Sequence, residues 1–169
     1  SLSGDGTNLY AGVGSGANLG DVWKYDGSSW TQVGNDGLNS SWTGGRLVST
    51  MAYVNSKLYA HNTFSSASNI TLYSYNGSVW QREGGQYYDG SWGYNGFNAV
   101  QSMTTSNGKL YAGLTSAYGG AIVFEFSNGT WQQIGGNLTN GSWDLGTFNA
   151  IESMTTYNGN LVVGTTGGV

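Results

Sequence analysis

The sequence predicts an all-β fold of the β-propeller kind, made of blades of four antiparallel strands, and three recurrences predict it. Trp30, Trp80 and Trp131 are separated by 50 and 51 residues, and Trp42, Trp92 and Trp143 repeat those separations. Met51, Met103 and Met154 follow at 52 and 51. Between these anchors, short alternating apolar segments are broken by Asn-Gly and Asp-Gly pairs, the residues that supply positive φ in tight hairpins. A period near 50 with strand-like segments belongs to propeller blades. No segment sustains a 3.6-residue apolar period, so no helix is expected.

The third copy shows the unit most clearly. Val100, Ser102 and Thr104 alternate with Ala99, Gln101 and Met103, and Asn107-Gly108 then turns the chain into Leu110–Gly113. After a longer loop, Ile122, Phe124 and Phe126 share one face, and Asn128-Gly129 turns the chain into Trp131–Ile134. Asp26-Gly27 and Asn76-Gly77 are read as the same third-strand turn, a type I′ pair. Asn158-Gly159, and Asn55-Ser56 in weaker form, repeat the turn after the first strand. The opening copy is expected to start at or just before its second strand, Leu9-Tyr10, and so to lack an inner strand. The 169 residues read as a single repeat domain: a partial blade over about 1–46, blades over about 47–98 and 99–150, and a partial terminal blade over about 151–169.

That count is about three blades per chain plus an extra strand. Propellers typically close with about 4–8 blades, so the fold is expected to be completed by oligomerisation, or else the sequence is a fragment of a longer repeat array. The partner expected is the chain itself, with a two-fold dimer favoured, and Leu9–Gly12 then competes with Leu161–Gly164 for one place. Head-to-tail addition that fails to close gives a fibre instead.

The third-strand aromatic, the turn and the fourth-strand Trp recur as Tyr25-Asp-Gly-Ser-Ser-Trp30, Tyr75-Asn-Gly-Ser-Val-Trp80 and Phe126-Ser-Asn-Gly-Thr-Trp131. This resembles the matching part of kelch-like β-propeller repeats. Kelch blades carry a double glycine after the second strand, where this chain has Ala11-Gly12, Ala60-His61 and Ala112-Gly113. The resemblance therefore implies an architecture and no particular activity.

Composition narrows the partners. Lys24, Arg46, Lys57, Arg82 and Lys109 are scattered singly in a chain of net charge −4, which argues against nucleic acid. No apolar run approaches the ~20 residues of a membrane helix, so no membrane insertion is expected. Cysteine is absent, which removes disulfides, thiol catalysis and thiolate metal sites together.

Successive antiparallel strands place the second-to-third and fourth-to-first connections at one end, and these are the long loops. Binding belongs on such a face. One constellation recurs there: Asn39-Ser40-Ser41-Trp42, Asp89-Gly90-Ser91-Trp92 and Asn140-Gly141-Ser142-Trp143, continuing in the last two copies to Phe97-Asn98 and Phe148-Asn149. An indole beside a short amide or carboxylate suits a sugar, whose apolar face stacks on the ring while its hydroxyls take the polar atoms. Against this, repeated Trp in a propeller more often packs between blades, and Asn or Asp before Gly is usually turn chemistry.

Catalysis has little to work with. His61 is the only histidine, so a triad or a two-histidine metal site within one chain is unsupported. Paired carboxylates would have to be drawn from turn aspartates and from Glu83, Glu125 and Glu152, which occupy different strand positions. No catalytic residue, metal site or cofactor is expected. Six N-x-[ST] sequons, at Asn39, Asn69, Asn76, Asn128, Asn137 and Asn140, are candidate glycosylation sites for an extracellular or cell-surface protein. The leading expectation is a non-enzymatic module that binds glycans multivalently on the long-loop face. The alternative is a structural surface or filament building block that assembles through open blade edges.

Overall fold

The computed structural model describes residues 1–14, 16, 19–63, 70–85, 88, 91–92, 97–116, 120–144 and 146–167. The chain is all-β, with four antiparallel sheets. Its residues gather into two compact units, Ser1–Gly84 and Gly85–Val169.

The first unit holds two sheets, each a simple meander. One runs in the order β1 (Leu2–Gly4), β2 (Leu9–Val13), β3 (Asp21–Tyr25), β4 (Trp30–Gly34). The other runs β5 (Leu47–Val54), β6 (Lys57–Thr63), β7 (Thr71–Tyr75), β8 (Trp80–Gly85). In the second unit β9 (Phe97–Ser106), β10 (Lys109–Ser116), β11 (Gly120–Ser127) and β12 (Thr130–Gly135) form a third four-stranded sheet, and β13 (Ala150–Tyr157) pairs with β14 (Asn160–Thr166) in a sheet of two. No helix among the described residues is long and apolar enough to cross a membrane.

Two expectations need correction. The opening blade does not lack an inner strand, because β1 pairs with β2 through Leu2↔Ala11, Ser3↔Tyr10 and Gly4↔Leu9. Three residues without apolar alternation carry no strand signal. It is tertiary contact that holds them: the Ser1 ammonium donates to the Gly12 carbonyl at 2.9 Å and Ser1 Oγ to the Val48 carbonyl at 3.1 Å.

The turns also divide into two kinds. Asn55-Ser56, Asn107-Gly108, Asn128-Gly129 and Asn158-Gly159 have positive φ at both central residues, as a type I′ hairpin requires. Asp26-Gly27 and Asn76-Gly77 do not: only the glycines are positive, at 97° and 98°. There Tyr25 pairs with Trp30 across a four-residue loop, and the Asp26 carboxylate accepts from Ser28 N and Ser29 N at 2.8 and 2.9 Å. Asn76 Oδ1 does the same for Ser78 N and Val79 N, at 3.0 Å each. In the third copy Asn-Gly sits one residue later, which centres it between Ser127 and Thr130 and permits the two-residue turn.

Blades pack within each unit through a glycine on the second strand of one blade and a branched residue on the first strand of the next. A Cβ at Gly12 would meet Val48 Cγ1 at 2.6 Å, and one at Gly113 would meet Ile151 Cβ at 2.6 Å. Glycine is needed at both places by close approach. The core of the first unit joins Tyr10, Val22, Val33, Trp42, Val48, Met51, Leu58 and Trp80 among others, and in the second Ala121, Val123 and Ile151 form one buried cluster.

Candidate functional site

The recurring Asn-x-Ser-Trp stretch is a clamp that closes the loop between blades. In the first copy Asn39 Nδ2 donates to the Val33 carbonyl at 3.0 Å, Ser41 Oγ accepts from Asn35 N at 3.0 Å, and Trp42 Nε1 donates to the Gly20 carbonyl at 2.8 Å. The third copy repeats this: Asn140 Nδ2 to the Ile134 carbonyl at 3.1 Å, Ser142 Oγ from Gly136 N at 2.7 Å, and Trp143 Nε1 to the Ala121 carbonyl at 2.7 Å. In the second copy Ser91 Oγ accepts from Gly85 N at 2.9 Å. Each clamp begins with a short turn in which Asn39 or Asn140 takes positive φ, a conformation asparagine tolerates better than most residues. Asp89 lies outside the described residues, as does the side chain of Asn98.

These bonds decide what the indoles can do. Trp42 and Trp92 are 2 % and 3 % exposed, so neither ring face is open to a sugar. Packing takes both. Trp42 meets the edge of Trp80 with centroids 5.0 Å apart, and Trp92 meets Trp131 in the same way at 5.2 Å. Trp143 is only half-buried, with Phe148 edge-on at 6.1 Å. Phe97 is buried against Phe124 at 5.9 Å, and Asn149 is exposed, its backbone N donating to the Thr166 carbonyl at 2.7 Å. Of the three motif indoles, two are thus enclosed by protein and the third is half-buried.

The titratable groups are likewise occupied structurally. His61 is 1 % exposed, and its Nδ1–H donates to the Thr71 carbonyl at 2.9 Å. Burial pushes its pKa down to about 4, against the smaller opposing effect of that bond, so the ring is neutral at physiological pH. Asp5 loses some water to burial, which raises its pKa, but bonds from Asn8, Thr7 and Tyr10 together bring it down to about 2. Asp26 is also brought to about 2, chiefly by Ser28 and by the turn amides. Glu83 pairs with Lys57 at 3.0 Å and accepts from Ser74 at 2.6 Å, and Glu125 pairs with Lys109 at 2.9 Å. Among the described residues no three His, Asp or Glu side chains gather as metal ligands. Of the sequons, Asn76, Asn128 and Asn137 are exposed, Asn39 and Asn140 have their amide nitrogens engaged in the clamps, and Asn69 lies outside the described residues.

What the composition and motifs did not single out is an apolar cavity of about 240 Å³ in the second unit. It is lined by Val123, Ile134, Gly135, Ser142, Trp143, Leu161 and Val163, so it lies between the third blade, the clamp and β14. A second unexpected feature is Trp30, which is 46 % exposed although Trp80 at the same repeat position is 3 % exposed.

Compared with protein-family models and with curated proteins, the chain matches none.

Proposed function

We propose that the chain is a non-enzymatic structural module, kelch-like in architecture, that associates with copies of itself through open blade edges. One observation carries this reading. In each four-stranded sheet the fourth strand, β4, β8 or β12, ends the strand order, with no further strand beside it among the described residues. Such an edge offers a row of unpaired backbone groups to another chain. Neutral buried His61 and turn-bound or ion-paired carboxylates are consistent with the absence of catalysis in this reading. Multivalent glycan binding on the long-loop face draws less support, since two of the three motif indoles are enclosed by protein. An extracellular or cell-surface location would suit the building-block role and the exposed sequons.

Light scattering across a concentration series tests it. A discrete dimer would fit a closed ring of six blades, and mass that grows with concentration would fit a filament. A monomer at every concentration refutes the proposal.

A further inference from the structure

An asparagine followed by glycine carries its own nucleophile. The glycine has no side chain to shield its backbone nitrogen, and attack of that nitrogen on the asparagine Cγ closes a five-membered ring. The described residues hold five such pairs: Asn76-Gly77, Asn107-Gly108, Asn128-Gly129, Asn140-Gly141 and Asn158-Gly159. As dipeptides they are equivalent. Their surroundings are not.

Asn107, Asn128 and Asn158 are held away from reaction. They stand at φ 50°, 52° and 49° in two-residue turns. Each turn is locked by a ladder pair at its base: Ser106↔Lys109, Ser127↔Thr130 and Tyr157↔Asn160. Ring closure must rotate the asparagine backbone, and in a type I′ turn that rotation breaks the hairpin. Asn140 is restrained twice. Its φ is 54°, and its Nδ2, the group that would leave, donates to the Ile134 carbonyl at 3.1 Å.

Asn76 differs on each count. It lies in the longer loop that joins Tyr75 of β7 to Trp80 of β8. It is exposed, and its φ is not positive. Its side-chain oxygen accepts from Ser78 N and Val79 N at 3.0 Å each, while its Nδ2 has no partner among the described residues. A Cβ at Gly77 would meet nothing within 4 Å, so nothing crowds the attacking residue.

We infer that Asn76 is a self-modification site, at which the turn promotes loss of the side-chain amide. Gly77 N attacks Asn76 Cγ and gives its proton to solvent, the Cγ–Nδ2 bond breaks, and ammonia leaves. Water then opens the cyclic imide at either carbonyl, giving aspartate or isoaspartate. As the nitrogen attacks, negative charge gathers on Oδ1. Two backbone N–H groups already point there, at a distance that stabilises an oxyanion. The aspartate product fits its place, because Asp26 occupies the same turn in the first blade, bonded to Ser28 N and Ser29 N at 2.8 and 2.9 Å. Reaction thus converts the second-blade turn into the first-blade one. It also adds a negative charge and destroys the sequon Asn76-Gly77-Ser78.

Incubation of the full 169-residue chain at pH 8, with peptide mass mapping over time, tests this. Conversion is read as the exchange of NH for O in the mass of each peptide. In the folded chain Asn76 should convert at least about 10-fold faster than Asn107, Asn128, Asn140 or Asn158. That is a small part of the ~100-fold that one enclosed oxyanion donor supplies, because this turn is open to water. In urea that unfolds the chain the rates should draw together, since glycine follows every one of these asparagines. Asn76→Asp should keep the wild-type urea midpoint. A folded chain in which Asn76 is no faster than the others overturns the inference. So does an unfolded chain that keeps the folded ranking, because local sequence and not the turn would then set the rate. A lowered midpoint for Asn76→Asp refutes the fit of the product.

Discussion

Trp80 and Trp30 occupy the same position of the repeat, so the pair isolates what a neighbouring blade contributes. Trp80→Ala removes a side chain that is 3 % exposed. An indole buries roughly 150–250 Å², worth about 4–6 kcal/mol at 25 cal/mol per Å² as an upper bound. Measured losses for buried Trp→Ala are about 3–5 kcal/mol. The variant also removes one of the two donors to the Val33 carbonyl, the Asn39 amide remaining at 3.0 Å, so the middle of that range, about 4 kcal/mol, is expected. Trp30→Ala removes a ring that is 46 % exposed and tilted against Tyr25, with no other aromatic beside it among the described residues. Its cost in the monomer should be about 1–2 kcal/mol, from half the area and one ring contact. Urea unfolding of each variant, followed by far-ultraviolet circular dichroism at concentrations where the chain is monomeric, reads the difference. With a slope of about 1–1.5 kcal/mol per M for a unit of this size, the unit-one midpoint should fall by about 3–4 M for Trp80→Ala and by about 1–2 M for Trp30→Ala. Equal shifts would refute the account of Trp80 as a plug between two blades.

Acid should weaken the fold in two separate windows. His61 has a folded pKa of about 4 against 6.5 for the free side chain, so the unfolded chain takes up the proton first and stability falls as pH drops from about 6.5 to about 4. The loss is about 3 kcal/mol, measurable as urea midpoints at pH 7 and pH 4.5, and His61→Leu should flatten that slope. Asp5 and Asp26, lowered to about 2, act in the same sense in a lower window: their stabilisation is present above the unfolded pKa of 3.8 and is lost as pH falls toward 2. Gly113→Ala drives a Cβ to 2.6 Å from Ile151 Cβ and should cost about 1–3 kcal/mol by overpacking, seen as a lower melting temperature; an unchanged one would mean the blades are not held at this spacing. Ser142→Ala leaves Gly136 N without its 2.7 Å acceptor and should cost about 1–3 kcal/mol, whereas Ser78→Ala in the exposed Asn76 turn should stay within about 0.5 kcal/mol.

Local chemistry was legible without coordinates. The period, the order of strands and the type I′ turns at Asn107-Gly108 and Asn158-Gly159 follow from residues that act on their immediate neighbours. The shift of Asn-Gly by one place in Phe126-Ser-Asn-Gly-Thr-Trp131 was legible too, and only its consequence for turn type needed the register. The Asn-x-Ser-Trp stretches were visible as a motif, but their role was not. A clamp and a sugar platform use the same residue types, and the choice depends on which carbonyls lie within reach. β1 was invisible because it owes its place to the Val48 and Gly12 carbonyls and not to its own three residues.

By itself, then, the sequence determined the all-β class, the blade length and the set of residues able to pack between blades. Tertiary structure alone decided what each of those residues does. Trp80 is enclosed, Trp131 half-buried and Trp30 exposed, although all three stand at one position of the repeat beside an equivalent aromatic. Burial of a blade-face residue is a property of two blades at once, and a repeat sequence describes them one at a time.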